Sequence, residues 1–274
     1  MNGCSNRMYR LRAAQGYNRR DGPPPAGRCG RADERRNVTG EWLDWHRNYD
    51  EDPKMAGRLR AVQRCIRAAM DRDPPGTIRV ISACAGDGRD LLGALAGHPR
   101  GPDVRARLVE LTPELVRAGR ERIAREKFPG VEFRQGDASL SSAYAGAVPA
   151  DIVLLCGIFG NISDADVRGA ILQLPELCAS NATVIWTRGR FAPDLTPAIR
   201  AWFVEAGFEE LSFETIDGST KSVGADRLVA APRPFRSDRT LFTFLPVEER
   251  PSTRAQANRR APSGDPERVR SSGA

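Results

Sequence analysis

Residues 78–84, Ile-Arg-Val-Ile-Ser-Ala-Cys, form an apolar run bounded by Asp73-Pro74-Pro75-Gly76 and by a glycine turn. A short run of β-branched and aliphatic residues between such breakers predicts a buried strand. The same kind of run returns at 105–111, 131–135, 151–157, 182–187 and 208–216, and a last one, Thr240-Leu-Phe-Thr-Phe-Leu245, follows a long polar stretch. Between these runs the apolar positions change to three- and four-residue spacing, which predicts helices at 88–97, 113–127, 164–178 and 196–206 and a short one near 139–146. Pro113 at a helix start and Gly207 after a helix end fit the usual placement of those residues. Ahead of the first strand, Met55, Leu59, Val62, Ile66 and Met70 continue a helical stripe from Trp42, Trp45 and Tyr49, and Pro53 is expected to divide it into two helices.

Strands alternating with helices predict an α/β fold with a mainly parallel sheet and helices on both faces. The two ends of the chain read differently. Residues 1–36 hold nine arginines and the run Pro23-Pro24-Pro25, with few aliphatics to offset chain entropy. From Glu248 to Ala274 the chain is again rich in Arg, Pro, Ser and Ala. The expected organisation is a disordered tail over 1–36, a helical lid over 37–76, a core over 77–247 and a second disordered tail over 248–274.

The formal charge of +7 raises the question of a nucleic-acid partner, and its location answers it. The first tail carries +6 and the second +2, which leaves the segment between them near −1. No basic stripe of the kind that follows a phosphate backbone is visible there, which argues against nucleic acid. Cys4, Cys29, Cys65, Cys84, Cys156 and Cys178 form no C-x-x-C pair, and His46 and His98 are the only histidines, so no metal site is expected. No apolar run reaches the roughly 18 to 20 residues of a membrane span, and the N-terminus lacks an apolar signal stretch, so the chain reads as soluble and cytoplasmic.

Candidate chemistry sits in the turn Ala85-Gly86-Asp87-Gly88, where absent Cβ atoms allow positive φ and close approach of a ligand. Ligands of open α/β sheets lie at the carboxyl ends of the strands. The second strand ends near Glu110, 22 residues beyond Gly88, a spacing that suits a carboxylate on ribose hydroxyls, and the third runs into Gly136-Asp137-Ala138. A nicotinamide-type site wants a third glycine where this chain has Leu91.

In the order of these three elements the chain resembles the class I S-adenosylmethionine-dependent methyltransferases over about residues 78–246. The resemblance implies a Rossmann-like seven-stranded sheet whose last strand inserts antiparallel between the fifth and sixth. It also implies S-adenosyl-L-methionine as cofactor, its methionine part held by the turn, its ribose by Glu110 and its adenine near Asp137. Cofactor contacts are therefore expected at Ser82, Cys84, Gly86, Asp87, Gly88, Glu110, Asp137 and Ala138, and at Cys156 and Gly157 after the fourth strand. Ser82 and Cys84 occupy positions where the family carries an acidic residue and a further glycine, and Asp87 or Asp90 is a substitute source of that carboxylate.

Methyl transfer asks a protein to hold the acceptor within about 3 to 3.5 Å of the methyl carbon, in line with sulfur. Only a poor nucleophile, such as a neutral alcohol, adds the need for a base. His46 is the candidate base, with Trp45 and Tyr49 as an apolar wall, or alternatively an amphipathic helix packing its aromatics on the sheet edge. Phe159 and Asn161 in Cys156-Gly-Ile-Phe-Gly-Asn161 are placed where acceptor meets methyl. The family's base-amine methylases carry an Asp/Asn-Pro-Pro-aromatic sequence there, and this chain has no proline in that stretch. Arg188, with Arg190, is expected on a loop above the pocket, where a guanidinium fork would suit an acidic small-molecule substrate; an ion pair to Glu41, Asp44 or Asp50 is the alternative. The resulting expectation is methyl transfer to a small metabolite. A non-catalytic binder of the same cofactor and a nucleic-acid methyltransferase using the basic tails are the other two readings.

Overall fold

A computed structural model describes residues 52–251. The first expected tail, residues 252–274 of the second, and the first part of the expected lid, with it His46, Trp45 and Tyr49, lie outside the described residues. The start of the second expected tail is ordered as a 3₁₀ turn, Val247–Glu249, with Arg250 buried behind it.

The first helix among the described residues, α1 (Pro53–Arg72), begins at Pro53: Asp52 caps its N-terminus by accepting from the Lys54 backbone N–H. β1 (Ile78–Ala83), α2 (Arg89–Leu95), β2 (Val104–Glu110), α3 (Pro113–Glu126) and β3 (Val131–Gln135) follow. Next come β4 (Ala150–Leu155), α4 (Asp164–Gln173), β5 (Cys178–Gly189), α5 (Thr196–Glu205), β6 (Phe208–Thr215) and β7 (Lys221–Leu228). The sheet order is β3-β2-β1-β4-β5-β7-β6, parallel except for β7, which pairs antiparallel with both β5 and β6. The short helix expected near 139–146 is a 3₁₀ turn, Ser141–Tyr144.

Side-chain alternation divides the core into two layers. Ile78 and Val80 of β1, Ile152 and Leu154 of β4 and Ile185 of β5 face α1 and α2. Ile81, Ala83, Val153, Leu155, Val184 and Trp186 face α4 and α5. Parallel strands covered on both faces are apolar throughout, which is why these runs read clearly in the sequence.

The seventh strand is not where the apolar pattern put it. Residues 240–245 make only single-residue bridges, Leu140 to Thr240 and Ile162 to Phe244, and Leu241 and Phe242 lie as a strap over the α4 side of the core. The inserted strand is instead Lys221–Leu228, whose Gly224 lies under the Trp186 ring. A Cβ at Gly224 would stand 2.2 Å from Trp186 Cε2, so a glycine is needed in a strand that must pass a buried indole. Among the described residues no helix is long and apolar enough to cross a membrane.

Candidate functional site

The order β3-β2-β1-β4 brings the carboxyl ends of the four strands that carry the candidate residues side by side. At the end of β1 three residues in five have positive φ: Cys84 at 51°, Gly86 at 59° and Gly88 at 77°. Glycine adopts this conformation without cost, whereas for cysteine it is a strained one. A Cβ at Gly88 would also lie 2.8 Å from Leu108 Cδ2 and 3.0 Å from the Phe133 ring. The turn is therefore pressed onto β2 and β3.

Glu110 joins turn to sheet. Its Oε2 accepts from the Gly86 N–H at 2.9 Å and its Oε1 from the Thr112 N–H at 2.8 Å, while its carbonyl accepts from the Gly136 N–H at 3.0 Å. One residue thus fixes the ends of three strands relative to one another. Burial raises the Glu110 pKa, and the N–H donors at Thr112 and Gly86 oppose the rise. The neighbouring Cys84 thiol is pushed well up, by burial first and then by the Glu110 and Asp137 carboxylates, so it stays protonated and unreactive. Asp137 is exposed at the end of β3; its Oδ1 accepts from Ser139 N and Oγ at 2.9 and 2.7 Å. Ala138 beside it is buried, and its carbonyl accepts from the Tyr144 hydroxyl at 2.7 Å.

The other candidates take different places. Ser82 is buried within β1, in register between Leu108 and Leu154. Asp87 is held by Arg89, whose Nε and terminal nitrogen reach both carboxylate oxygens at 2.8–3.1 Å. After β4, Gly157 donates its N–H to Thr187 Oγ1 at 2.8 Å, and its carbonyl accepts from Asn161 Nδ2 at 2.6 Å. Asn161 therefore braces its own loop.

Two substrate residues expected from sequence are corrected. The Phe159 ring is fully buried against Trp186, with centroids 6.0 Å apart, and forms core instead of a wall that a ligand could touch. Arg188 lies inside β5, which runs to Gly189, two residues beyond the expected strand end. Its guanidinium is sealed in, donating to the Phe159 carbonyl and standing 3.9 Å from Asp164, and burial lowers its pKa. Arg190 donates to the Ser219 carbonyl at 3.2 Å. Neither arginine is a solvated fork above the crevice. His98, expected on the surface, is mostly covered, with Nε2 at 3.2 Å from Asp71 and Nδ1 accepting from Arg100 N, at a helix exit on the far end of β1.

One residue missed from sequence stands on the α1 side. Arg58 is 6% exposed and donates to Thr187 Oγ1 at 3.3 Å. Asp90, named from sequence with Asp87 as a source of the missing carboxylate, lies in the first turn of α2 beside the Cys156 thiol. The available signal was phase: Arg58 falls three after Met55 and four before Val62, on the apolar stripe of α1. Leu111, directly after Glu110, is 53% exposed and adds an apolar surface at the mouth of the crevice. No group of three or more His, Cys, Asp or Glu side chains among the described residues could hold a metal ion.

No family model matches the chain, and no curated protein matches it in sequence. Solved structures do. Magnesium protoporphyrin IX methyltransferase from Synechocystis PCC 6803, solved with bound SAM, superposes with a TM-score of 0.55 at 14% identity, over 74% of this chain and 99% of that one. The 1,6-didemethyltoxoflavin-N1-methyltransferase from Burkholderia thailandensis gives 0.54 at 16% identity, over 77% and 93%. The CurJ carbon methyltransferase gives 0.56 at 13% identity, over 70% of this chain and 59% of that one. With these neighbours, the strand order and the inserted antiparallel β7, the chain has the class I methyltransferase fold.

Proposed function

We propose that this protein transfers a methyl group from S-adenosylmethionine to a small-molecule acceptor. One observation carries the reading: three left-handed residues at 84, 86 and 88 form a backbone cradle whose Gly86 N–H is bound by the Glu110 carboxylate, with Asp137 at the next strand end. The cradle fits the group the resemblance implies. At Gly88 a Cβ would collide with Leu108 and Phe133, so the glycine is what lets the turn seat on β2 and β3. Each oxygen of Glu110 uses one lone pair on a backbone N–H and keeps another for a ribose hydroxyl. Asp137 spends Oδ1 on Ser139 and is exposed, so its other oxygen is open to an exocyclic amine. Leu111 offers an exposed apolar face to a purine.

S-adenosylmethionine supplies an electrophilic methyl on a sulfonium, so the protein's task is positioning and exclusion of water. Among the described residues, Cys84 and Cys156 are thiols held protonated by burial, Glu110 accepts one backbone N–H at each oxygen, and Asp137 is an exposed carboxylate at the crevice. An acceptor that is already a good nucleophile needs no base, whereas a neutral alcohol would call on one such as His46, which lies outside the described residues. The solved neighbours comprise a methyltransferase named for magnesium protoporphyrin IX, one named for a toxoflavin nitrogen and a carbon methyltransferase, and their variety supports a small acceptor without selecting its atom.

Calorimetric titration of the full chain with S-adenosylmethionine and S-adenosylhomocysteine tests the reading. Saturable binding of both is expected; a folded protein that binds neither refutes it. Turnover against a panel of nitrogen, oxygen and carbon nucleophiles then separates an enzyme from a binder.

A further inference from the structure

Three carboxylates surround the glycine turn, and the structure accounts for two. Glu110 accepts one backbone N–H at each oxygen, and Asp87 is forked by Arg89. Asp90 is different. Its Oδ1 is sealed from solvent and has no hydrogen-bond partner among the described residues. A buried carboxylate oxygen without a donor is expensive, and in a native structure such an atom marks a place where something else completes the shell.

Its surroundings say what completes it. Asp90 lies in the first turn of α2, next to the Cys156 thiol that follows β4; burial raises its pKa, and the Arg58 guanidinium opposes the rise by favouring its charged form. Arg58 is itself buried and is steadied by Thr187 Oγ1, which also accepts from Gly157 N, so α1, β4 and β5 all contribute to its placement. A carboxylate with an open acceptor beside a guanidinium, both out of water, is complementary to a group bearing both charges. Ser82, which stands where an acidic residue would close β1, has only a hydroxyl buried in the sheet and cannot meet a cation.

We propose that Asp90 and Arg58 together receive the α-amino-acid end of the nucleoside ligand, Asp90 accepting from its ammonium and Arg58 holding its carboxylate. This rests on the methyltransferase reading above and adds to it the residues that recognise the zwitterion. In this chain the acidic partner is displaced from the strand end to the first turn of the following helix, and the guanidinium from α1 keeps two carboxylates, one of the protein and one of the ligand, from repelling each other.

Equilibrium binding of three nucleosides to the full chain decides it: S-adenosylhomocysteine, its desamino analogue with hydrogen in place of the ammonium, and 5′-methylthioadenosine, which lacks the amino-acid end. A charge-assisted hydrogen bond is worth about tenfold to a hundredfold in affinity, so wild type is expected to prefer S-adenosylhomocysteine over the desamino analogue by about tenfold or more. Asp90→Asn should erase that preference and leave methylthioadenosine within about twofold, while Arg58→Met should weaken both carboxylate-bearing ligands and spare methylthioadenosine. An unchanged preference in Asp90→Asn overturns the proposal. So does a wild type that binds the desamino analogue as tightly as S-adenosylhomocysteine, a result that needs no variant to fold. Failure of wild type to bind any of the three removes the methyltransferase reading itself, and is distinguished by appearing before any substitution is made.

Discussion

Asp226 makes stability depend on pH in a way a single substitution can expose. It is 1% exposed on β7, accepts from Trp186 Nε1 at 2.7 Å, and lies opposite Glu210 of β6. Burial pushes its carboxyl up to about 7; the Trp186 N–H opposes the rise, Glu210 adds to it, and Arg200, which forks Glu210 from α5, again opposes it. In the unfolded chain an aspartate titrates near 3.9. Between those values the native state keeps a proton that the unfolded state has lost, so stability falls as pH rises. The slope is up to about 1.4 kcal/mol per pH unit, and the total about 4 kcal/mol once pH exceeds about 7. Below about pH 4 both states are protonated and the penalty is absent. Asp226→Asn removes the titration while its amide oxygen can still accept from Trp186. Urea unfolding at pH 4.5 and pH 8 should therefore show the variant gaining on wild type by about 3 kcal/mol across that interval. Asp73, Asp90 and Glu110 also have raised values, but they occur in both proteins and cancel in the difference. A difference that stays constant within about 0.5 kcal/mol would show that Asp226 ionises normally despite its burial.

Three further outcomes follow from the packing and the turn. Gly224→Ala places a methyl against the Trp186 indole and should lower stability by about 1 to 3 kcal/mol; an unshifted urea midpoint would mean that β7 can move away from the ring. Glu110→Ala, which sequence alone presents as a ligand-binding change, should also cost about 1 to 3 kcal/mol, because it strips the acceptor from two buried backbone N–H groups; thermal melts without ligand check this, and an unaltered melt with lost nucleoside binding would confine the residue to the ligand. Cys84→Gly relieves a left-handed backbone that costs an L-residue about 1 to 2 kcal/mol, whereas Cys84→Ala loses the sulfur contacts and keeps the cost. The glycine variant should be the more stable of the two, and the reverse order would show that the left-handed conformation at residue 84 does not carry that cost.

β1, β4 and the 182–187 stretch of β5 were legible because parallel strands buried on both faces are apolar along their length, and β2 and β3 because their buried residues alternate with exposed ones. β7 was hidden for the opposite reason. Lys221-Ser-Val-Gly-Ala-Asp-Arg-Leu228 carries a glycine and three charges in a central strand, each answering a neighbour: Gly224 the Trp186 ring, Lys221 the Asp52 carboxylate, Asp226 the Trp186 N–H, and Arg227 the Glu209 carboxylate across the ladder. None of those neighbours is close in sequence. The segment 240–245 misled because alternating apolar residues serve equally well to cover a core face as to pair in a sheet, and only the backbone partners tell the two apart.

The same distinction governs the site. Gly86, Gly88, Glu110 and Asp137 could be read from spacing because each closes or follows a strand, and adjacent parallel strands put those ends together whatever lies between them. Arg188 and Phe159 could not, since their exposure depends on a register set by β7: Arg188 pairs with Ser222, and with that pairing β5 extends to Gly189 and draws the arginine inside, where its guanidinium bonds the Phe159 carbonyl. Arg58 and Asp90 lie 32 residues apart and meet because α1 packs across α2, a contact between helices that local patterning does not encode. What the sequence carried there was a conflict, a charged residue in phase with the apolar stripe of α1. Such conflicts between local pattern and burial persist in a fold when a site uses them, so the buried arginine on α1 was the more informative residue than the solvent-side arginines that its composition brings to notice.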